Sequence, residues 1–420
     1  MRYHKKGDQI YIFGFSRGAY TARFLAEMLD DVGLLPNGNE EMVRFAWDTF
    51  ARWQCRRGSE KETRRYRFWE FFRQRQDAEM YARAKEMWTS MTGFKHTFSR
   101  DVDSIRFLGL FDTVNSVPQF EAPWLDRKKF PYSARSAAKE IWHAVSIDER
   151  RVNFRPDLIY QSAERQTVIQ KGDGGVPHAV TVSPTSPEAM DQRNHACPGQ
   201  EVHEVWFAGN HGDVGGGWGV SGGALPHSHV PLVWMVRAAS RAGLKFCPEK
   251  LREVGITVPE VYEHTPHPAR RPSMAETLFS ASETNDKRVE DMLSRKVHDC
   301  LRLSPDLSWH EVLRWNLAEN IPFKRMDLKN NRWRAIRLPL PMGDTRDIPD
   351  EAVIHGSVIQ RLQGNEHYRP QNLILGGGIE LRMGRRAQFD ISKWELVPET
   401  EHLDFFERTY RRKLDKDIVE

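Results

Sequence analysis

The sequence predicts an α/β protein built on a mostly parallel sheet with helices on both faces. Two observations carry this. Up to about residue 245, short apolar runs alternate with stretches of helical spacing, in the repeated order strand, turn, helix. The runs are also apolar throughout rather than alternating, as strands buried on both faces are. Ile10-Tyr11-Ile12-Phe13 reads as the first strand, and glycines follow it. From Arg17 to Val32 the apolar positions Phe24, Leu25, Met28, Leu29 and Val32 follow a helical period, and Gly33 falls where a C-cap would. Glu40 to Trp53 and Lys61 to Met91 read as further helix, so an insertion of helices is expected over about 40–92. Ser104 to Phe111 is the second strand, Ser133 to Ile147 reads as a helix, and Val202 to Phe207 is the third strand. A glycine-rich turn follows, then a helix from Leu225 to Ala242.

The remainder is less regular. Residues 171–200 and 255–275 are punctuated by proline and read as a surface insertion and a connector. Arg334 to Pro341 reads as a strand, Ile379 to Leu396 as a hairpin, and Glu401 to Lys416 as a terminal helix with a solvated basic face. The expected organisation is a catalytic domain over 1–245 and a helical or mixed extension, 246–420, that completes it.

Composition narrows the classes. Of the 420 residues 39% are hydrophobic and 29% charged, which is a globular balance. Lys and Arg number 62 against 58 Asp and Glu, a net charge of +4, too small a surplus for a nucleic-acid binder. There is no apolar run of about 18 residues and no apolar leader after Met1, so the expected location is cytoplasmic. Cys55, Cys197, Cys247 and Cys300 form no CxxC pair, which argues against a zinc site and a disulfide framework.

The sharpest local feature is Gly14-Phe15-Ser16-Arg17-Gly18, a GxSxG pattern with a strand before it and an amphipathic helix after it. That setting is the nucleophile elbow of the α/β-hydrolases. Ser16 would sit in a strained turn, with Gly14 and Gly18 leaving room for strand and helix to pass, and the N–H of Arg17 would face a developing oxyanion. A serine hydroxyl needs an imidazole base, and the base needs a carboxylate to orient it. Two segments at strand ends offer them: Phe111-Asp112-Thr113-Val114, and Gly209-Asn210-His211-Gly212-Asp213. Asp112 is the expected acid and His211 the expected base, with Asp213 the competing acid. A metal held by His211 and Asp213 is a weak alternative, since two ligands do not define a site. The glycines of 212–219 lack a GK[ST] ending, so a phosphate loop is not expected.

Four blocks together resemble one family: YIFGFSRGAYTAR (Tyr11 to Arg23), FLGLFDTV (Phe107 to Val114), HAVSIDERR (His143 to Arg151) and VWFAGNHGDVGGG (Val205 to Gly217). They are similar to the signature blocks of the α/β-hydrolase-like family that includes the first class of type VI secretion phospholipase effectors. IHGSV (Ile354 to Val358) is a weaker echo and makes His355 a reserve candidate for the base. The resemblance implies an esterase or phospholipase A-like activity through Ser16, Asp112 and His211. It also implies that the family's N-terminal strands, which precede the GxSxG block, are missing from this chain. With them would go one oxyanion donor, a loss of about 10²- to 10³-fold in rate. The expected function is therefore hydrolysis of a carboxylic ester, that of a (phospho)lipid, weakened by that loss. The substrate would be a lipid or another ester, with peripheral contact to a membrane, no nucleic acid and no cofactor. The basic cluster of Arg56, Arg57, Arg64, Arg65 and Arg67 is read as a solvated helix face, or as a surface for anionic headgroups. The alternative is an inactive hydrolase fold that serves as a binding module.

Overall fold

The frame of the molecule is an open, mostly parallel sheet. The computed structural model describes residues 3–63, 85–100, 102, 105–114, 138–159, 200–220, 224–258, 283–323, 325–329, 332–370, 372–373 and 390–413. In chain order the strands are β1 (Tyr11–Phe15), β2 (Phe107–Phe111), β3 (Glu140–Ser146), β4 (Glu201–Phe207), β5 (Arg325–Lys329), β6 (Arg332–Ile336), β7 (Val353–His355), β8 (Trp394–Leu396) and β9 (Thr409–Arg412). Seven of them form one sheet in the order β1-β2-β3-β4-β7-β9-β8, while β5 and β6 form a separate hairpin. The pairs from β1 to β7 are parallel, and β9 runs antiparallel to both β7 and β8. Among the described residues β1 is an edge strand.

Alternation along the strands feeds two cores. Leu108, Leu110 and Ile141 point to the face covered by α1 (Arg17–Val32), where Ala19, Ala22, Ala26 and Leu29 let helix and sheet approach closely. Phe107, Trp142, Ala144, Val205 and Phe207 point the other way, against Trp234, Met235, Ala238 and Ala239. Those four residues belong to a helix at His229–Arg241. A third cluster joins Val145 and Trp206 to Val358, Ile359 and Leu362 of the helix Gly356–Gly364 that follows β7. The sheet therefore has apolar cores on both faces, as its continuous apolar strands require.

Three expectations need correction. The segment read as a helix over 133–147 holds strand β3, which is hydrogen-bonded to neighbours on both sides. Its short apolar run suits either element, and burial of both faces between β2 and β4 selects the strand. The expected terminal helix over 401–416 contains β9 instead, because the open edge of β7 offers Thr409–Arg412 a ladder that an isolated basic helix lacks. The strand expected at 334–341 is in place only from Arg332 to Ile336, within the hairpin. The segment 40–63 is helical, as expected, with α2 at Val43–Thr63, and 85–98 is helical too. Most of the proline-rich stretches lie outside the described residues, as do 379–389 of the hairpin expected over 379–396 and the side chains of the basic cluster.

The elbow between β1 and α1 depends on one of its two glycines. A Cβ on Gly14 would lie 2.6 Å from Ala19 Cα and from Gly18 O, far inside contact distance. Gly18 faces open space, so the steric reason expected for it is not borne out. We expect Gly14→Ala to cost about 1–3 kcal/mol through overpacking, read as a lower urea midpoint, and Gly18→Ala to cost less than half of that.

Candidate active site

The C-terminal ends of β1 to β4 bring the key side chains to one edge of the sheet. Phe15, Phe111 and Ala144 are in register across β1, β2 and β3, and Ser146 pairs with Phe207 of β4. Each strand then leaves the sheet through a loop, and such loops are where open α/β sheets place ligands.

Ser16 follows β1 directly and is the N-cap of α1, with φ 62° and ψ −128°. A positive φ is uncommon for a residue with a Cβ, and here the surroundings impose it. The Ser16 N–H donates to Phe111 O at 2.9 Å, and Ser16 O accepts from Ala19 N at 3.1 Å. Arg17 opens the helix, so its N–H is one of the first-turn donors that a helix leaves without an internal partner.

Asp112 is the residue after β2 and also has a positive φ, 43°. Its N–H donates to Ala144 O at 2.7 Å, which continues the β2–β3 ladder into the turn. His211 comes from a loop that closes on a single helical turn, α3 (His211–Gly215). Asn210 caps that turn through its side chain, and Asp213 returns a bond to Asn210 N–H, a reciprocal capping box. The ring of His211 lies between those of Phe15 and Phe154, at centroid distances of 4.6 and 4.8 Å.

The three groups meet. His211 Nε2 lies 2.8 Å from Ser16 Oγ, and His211 Nδ1 lies 2.6 Å from Asp112 Oδ2. Since Nδ1 can only donate to the carboxylate, Nε2 is left to accept from the serine hydroxyl. Asp112 has no exposed surface. Burial alone would push its carboxyl up, but the Arg346 guanidinium and the hydrogen bond from His211 outweigh it and hold the carboxyl well below the usual carboxylate range. Arg346 grips both oxygens, at 2.6 Å to Oδ1 and 2.8 Å to Oδ2. Ser146 adds its N–H to Oδ1 at 2.8 Å and its hydroxyl to Oδ2 at 3.1 Å.

The competing candidates lie in other networks. Asp213 Oδ1 is 2.6 Å from His298 Nδ1, and its Oδ2 accepts from the N–H groups of Asn210 and His298, each at 3.0 Å. It braces the His211 turn rather than touching the His211 ring. His355 caps the helix after β7, with Nδ1 on Ser357 and Nε2 on Phe406 O, and burial pushes its imidazole down to about 4.

Asp213, His227 and His298 each offer a ligand atom within 4.8 Å of the others, the spacing of a loose metal cluster. The atoms are already engaged. Besides the Asp213 bonds, His227 Nδ1 accepts from the Arg361 guanidinium at 3.1 Å and its Nε2 donates to Lys296 O at 3.2 Å. A guanidinium on one of three ligands disfavours a second cation there. Hydrogen bonds tie the three side chains into their surroundings.

Sequence reasoning missed Arg346 and Ser146 as parts of the site. Glu149 accepts the His211 N–H at 3.3 Å and is held by a two-point contact with Arg151. The HAVSIDERR block carried a signal for Ser146, hidden by its reading as helix. No local pattern marks Arg346.

Asp148, in the same loop as Glu149, supports the His211 turn from behind. Its Oδ2 accepts from Gly209 N–H at 2.7 Å and from Tyr368 OH at 2.8 Å. Burial pushes its carboxyl up to about 7, against the lowering effect of those two donors. The folded protein thus binds this proton more tightly than the unfolded chain, whose aspartates titrate near 3.9. Its contribution to stability is fully present below about pH 4 and lost as pH rises through about 7. Asp148→Asn keeps the acceptor and removes the titration. We expect the wild-type Tm to fall between pH 5 and 8 and the variant to be flatter and higher at pH 8.

The open, mostly parallel sheet, the helices on both faces and the strand-to-helix elbow define an α/β-hydrolase-like protein. The chain belongs to the T6SS phospholipase effector Tle1-like catalytic-domain family, whose model matches residues 1–238. It is 26% identical over 491 aligned residues to the uncharacterized protein YEL023C of Saccharomyces cerevisiae (strain ATCC 204508 / S288c), covering 89% of this chain and 67% of that protein. No solved structure matches the chain significantly. Among the described residues no helix is long and apolar enough to cross a membrane.

Proposed function

We propose that this protein is a serine hydrolase that cleaves a carboxylic ester of a lipid. The observation that carries the reading is the continuous hydrogen-bonded line from Ser16 Oγ through His211 to Asp112, with spacings of 2.8 and 2.6 Å. Ser16 Oγ attacks the ester carbonyl while His211 Nε2 takes its proton. Asp112 fixes the imidazole tautomer and balances the imidazolium that forms. The Arg17 N–H stabilises the oxyanion at the N-terminus of α1. His211 then protonates the leaving alcohol, and water repeats the cycle on the acyl-enzyme. This chemistry needs no cofactor.

Lipid is favoured over other esters because the family is described as phospholipase effectors. Such a substrate implies peripheral contact with a membrane surface. The catalytic unit is read as 1–245, completed by 246–420.

A fluorophosphonate probe tests the reading. We expect covalent labelling that maps to Ser16 and is absent in Ser16→Ala, together with release of fatty acid from phospholipid vesicles. Labelling that persists in Ser16→Ala, or a wild-type protein that takes no label, would overturn it.

A further inference from the structure

We propose that Arg346 is a positioning residue: its guanidinium locks the Asp112 carboxylate toward His211 and sets how far into acid the hydrolysis persists. This deepens the proposed function and rests on it.

The geometry is that of a clamp. Nη1 donates to Asp112 Oδ1 and Nη2 to Oδ2, and both residues are fully buried. Two parallel bonds from a planar fork fix the plane of a carboxylate, which a single donor cannot do. Oδ2 is the oxygen that also receives His211 Nδ1, so the clamp fixes the direction from which the imidazole is held.

The guanidinium is itself held. Nη1 also donates to Ser146 O at 3.0 Å, and Nη2 to Phe154 O. Its loop is stapled to the segment after β3. Arg155 donates to the carbonyls of Thr345 and Asp344, at 2.6 and 3.1 Å. Arg150 donates to Gly343 O at 2.8 Å, Glu319 accepts from Gly343 N–H at 3.0 Å, and Asn372 donates to Arg346 O at 3.1 Å. The clamp comes from beyond residues 1–238, so the part of the chain outside the family match completes the site.

Orientation alone would not require a cation. Ser146 N–H, Ser146 Oγ and His211 already give Asp112 three donors. The cation changes the charge balance. With Arg346 the buried pair is neutral before His211 takes a proton; without it the same proton would meet an unbalanced carboxylate. Without that counter-charge the acid limb of the hydrolysis would lie at higher pH. Other charges facing His211 are few among the described residues. Glu149 lies against its backbone N–H and is neutralised by Arg151, while Asp213 is turned to His298. The Cys300 thiol, near Arg151, is kept neutral because burial pushes it up to about 12.

The test is the pH profile of kcat/KM on a p-nitrophenyl ester for wild type, Arg346→Met and Arg346→Lys, with Ser16 labelling as a fold check. In Arg346→Met the acid limb is expected to move up by about one pH unit or more, the scale of a charge removed at this range. The plateau should drop by about ten- to a hundredfold as orientation loosens. Arg346→Lys keeps the charge and loses the fork, so its limb should stay within a few tenths of a unit of wild type while its plateau falls. A merely structural role would lower the plateau of both variants and move neither limb. If Arg346→Met fails to fold, Arg346→Gln, which keeps a hydrogen-bond donor and drops the charge, decides: a limb that stays within a few tenths of a unit of wild type overturns the proposal. A wild-type protein unlabelled at Ser16 would instead sink the hydrolase reading and this inference with it. Labelled wild type with superimposable Arg346→Met and wild-type profiles sinks the inference alone.

Discussion

Ser16→Ala and His211→Ala are each expected to lower kcat for ester hydrolysis by about 10⁵- to 10⁶-fold, with the double variant no slower than either single one. The reason lies in the geometry. His211 Nε2 stands 2.8 Å from Ser16 Oγ, so base and nucleophile form one unit. Removing the hydroxyl leaves the imidazole nothing to deprotonate. Removing the imidazole leaves a hydroxyl that is almost wholly protonated at neutral pH. What survives is oxyanion stabilisation and binding, and each variant should fall to that same floor. The fold should tolerate both changes. Ser16 keeps its backbone bonds to Phe111 and Ala19 whatever its side chain, and His211 is packed between two rings rather than inside the main cores. Steady-state rates on a p-nitrophenyl ester with matched circular dichroism spectra provide the measurement. Single-variant losses that multiply in the double variant would show that the two side chains act apart.

The candidate site was legible where chemistry and chain geometry coincide locally. Ser16, Asp112 and His211 each sit within a few residues of the end of an apolar run, and parallel strands bring such ends to one edge. The elbow announced itself because a nucleophile, a glycine and a helix start fall within five residues. In one dimension Asp112 is the expected acid and Asp213 stays a competitor, two residues from His211. Only the fold separates them, by giving Asp213 to a capping box and to His298. Arg346 was invisible for a different reason. Its neighbours Asp344, Thr345 and Asp347 are loop residues with no periodicity, and its role comes from a contact 234 positions away in sequence. Strands β3 and β9 were misread because local composition does not record a neighbour. Glu140–Ser146 and Thr409–Arg412 are strands because β2, β4 and β7 offer open ladders to them. Helix α1 was legible because its stripe of apolar and small residues is long enough to be periodic.

Asp112→Asn should lower kcat by about 10⁴-fold, and its effect on stability should expose what Arg346 does. The amide has one acceptor oxygen where the carboxylate had two, while three sets of donors compete for it: the Arg346 fork, Ser146 and His211. The oxygen goes where the charge is, toward Arg346, so the amide NH₂ turns to His211. The imidazole must then accept at Nδ1 and carry its proton on Nε2, which makes it a donor to Ser16 and removes the base. Arg346 is left buried with its counter-charge gone, a change that costs about 3–5 kcal/mol in a fully buried pair. The double variant Asp112→Asn with Arg346→Met removes both charges. It should recover a large part of that stability, read as the urea midpoint, and none of the activity. Two outcomes would refute this account. A double variant as unstable as Asp112→Asn would mean that the guanidinium is anchored by Ser146 O and Phe154 O and not by the acid. Restored hydrolysis would mean that Asp112 serves to neutralise Arg346 and that His211 needs no carboxylate to work.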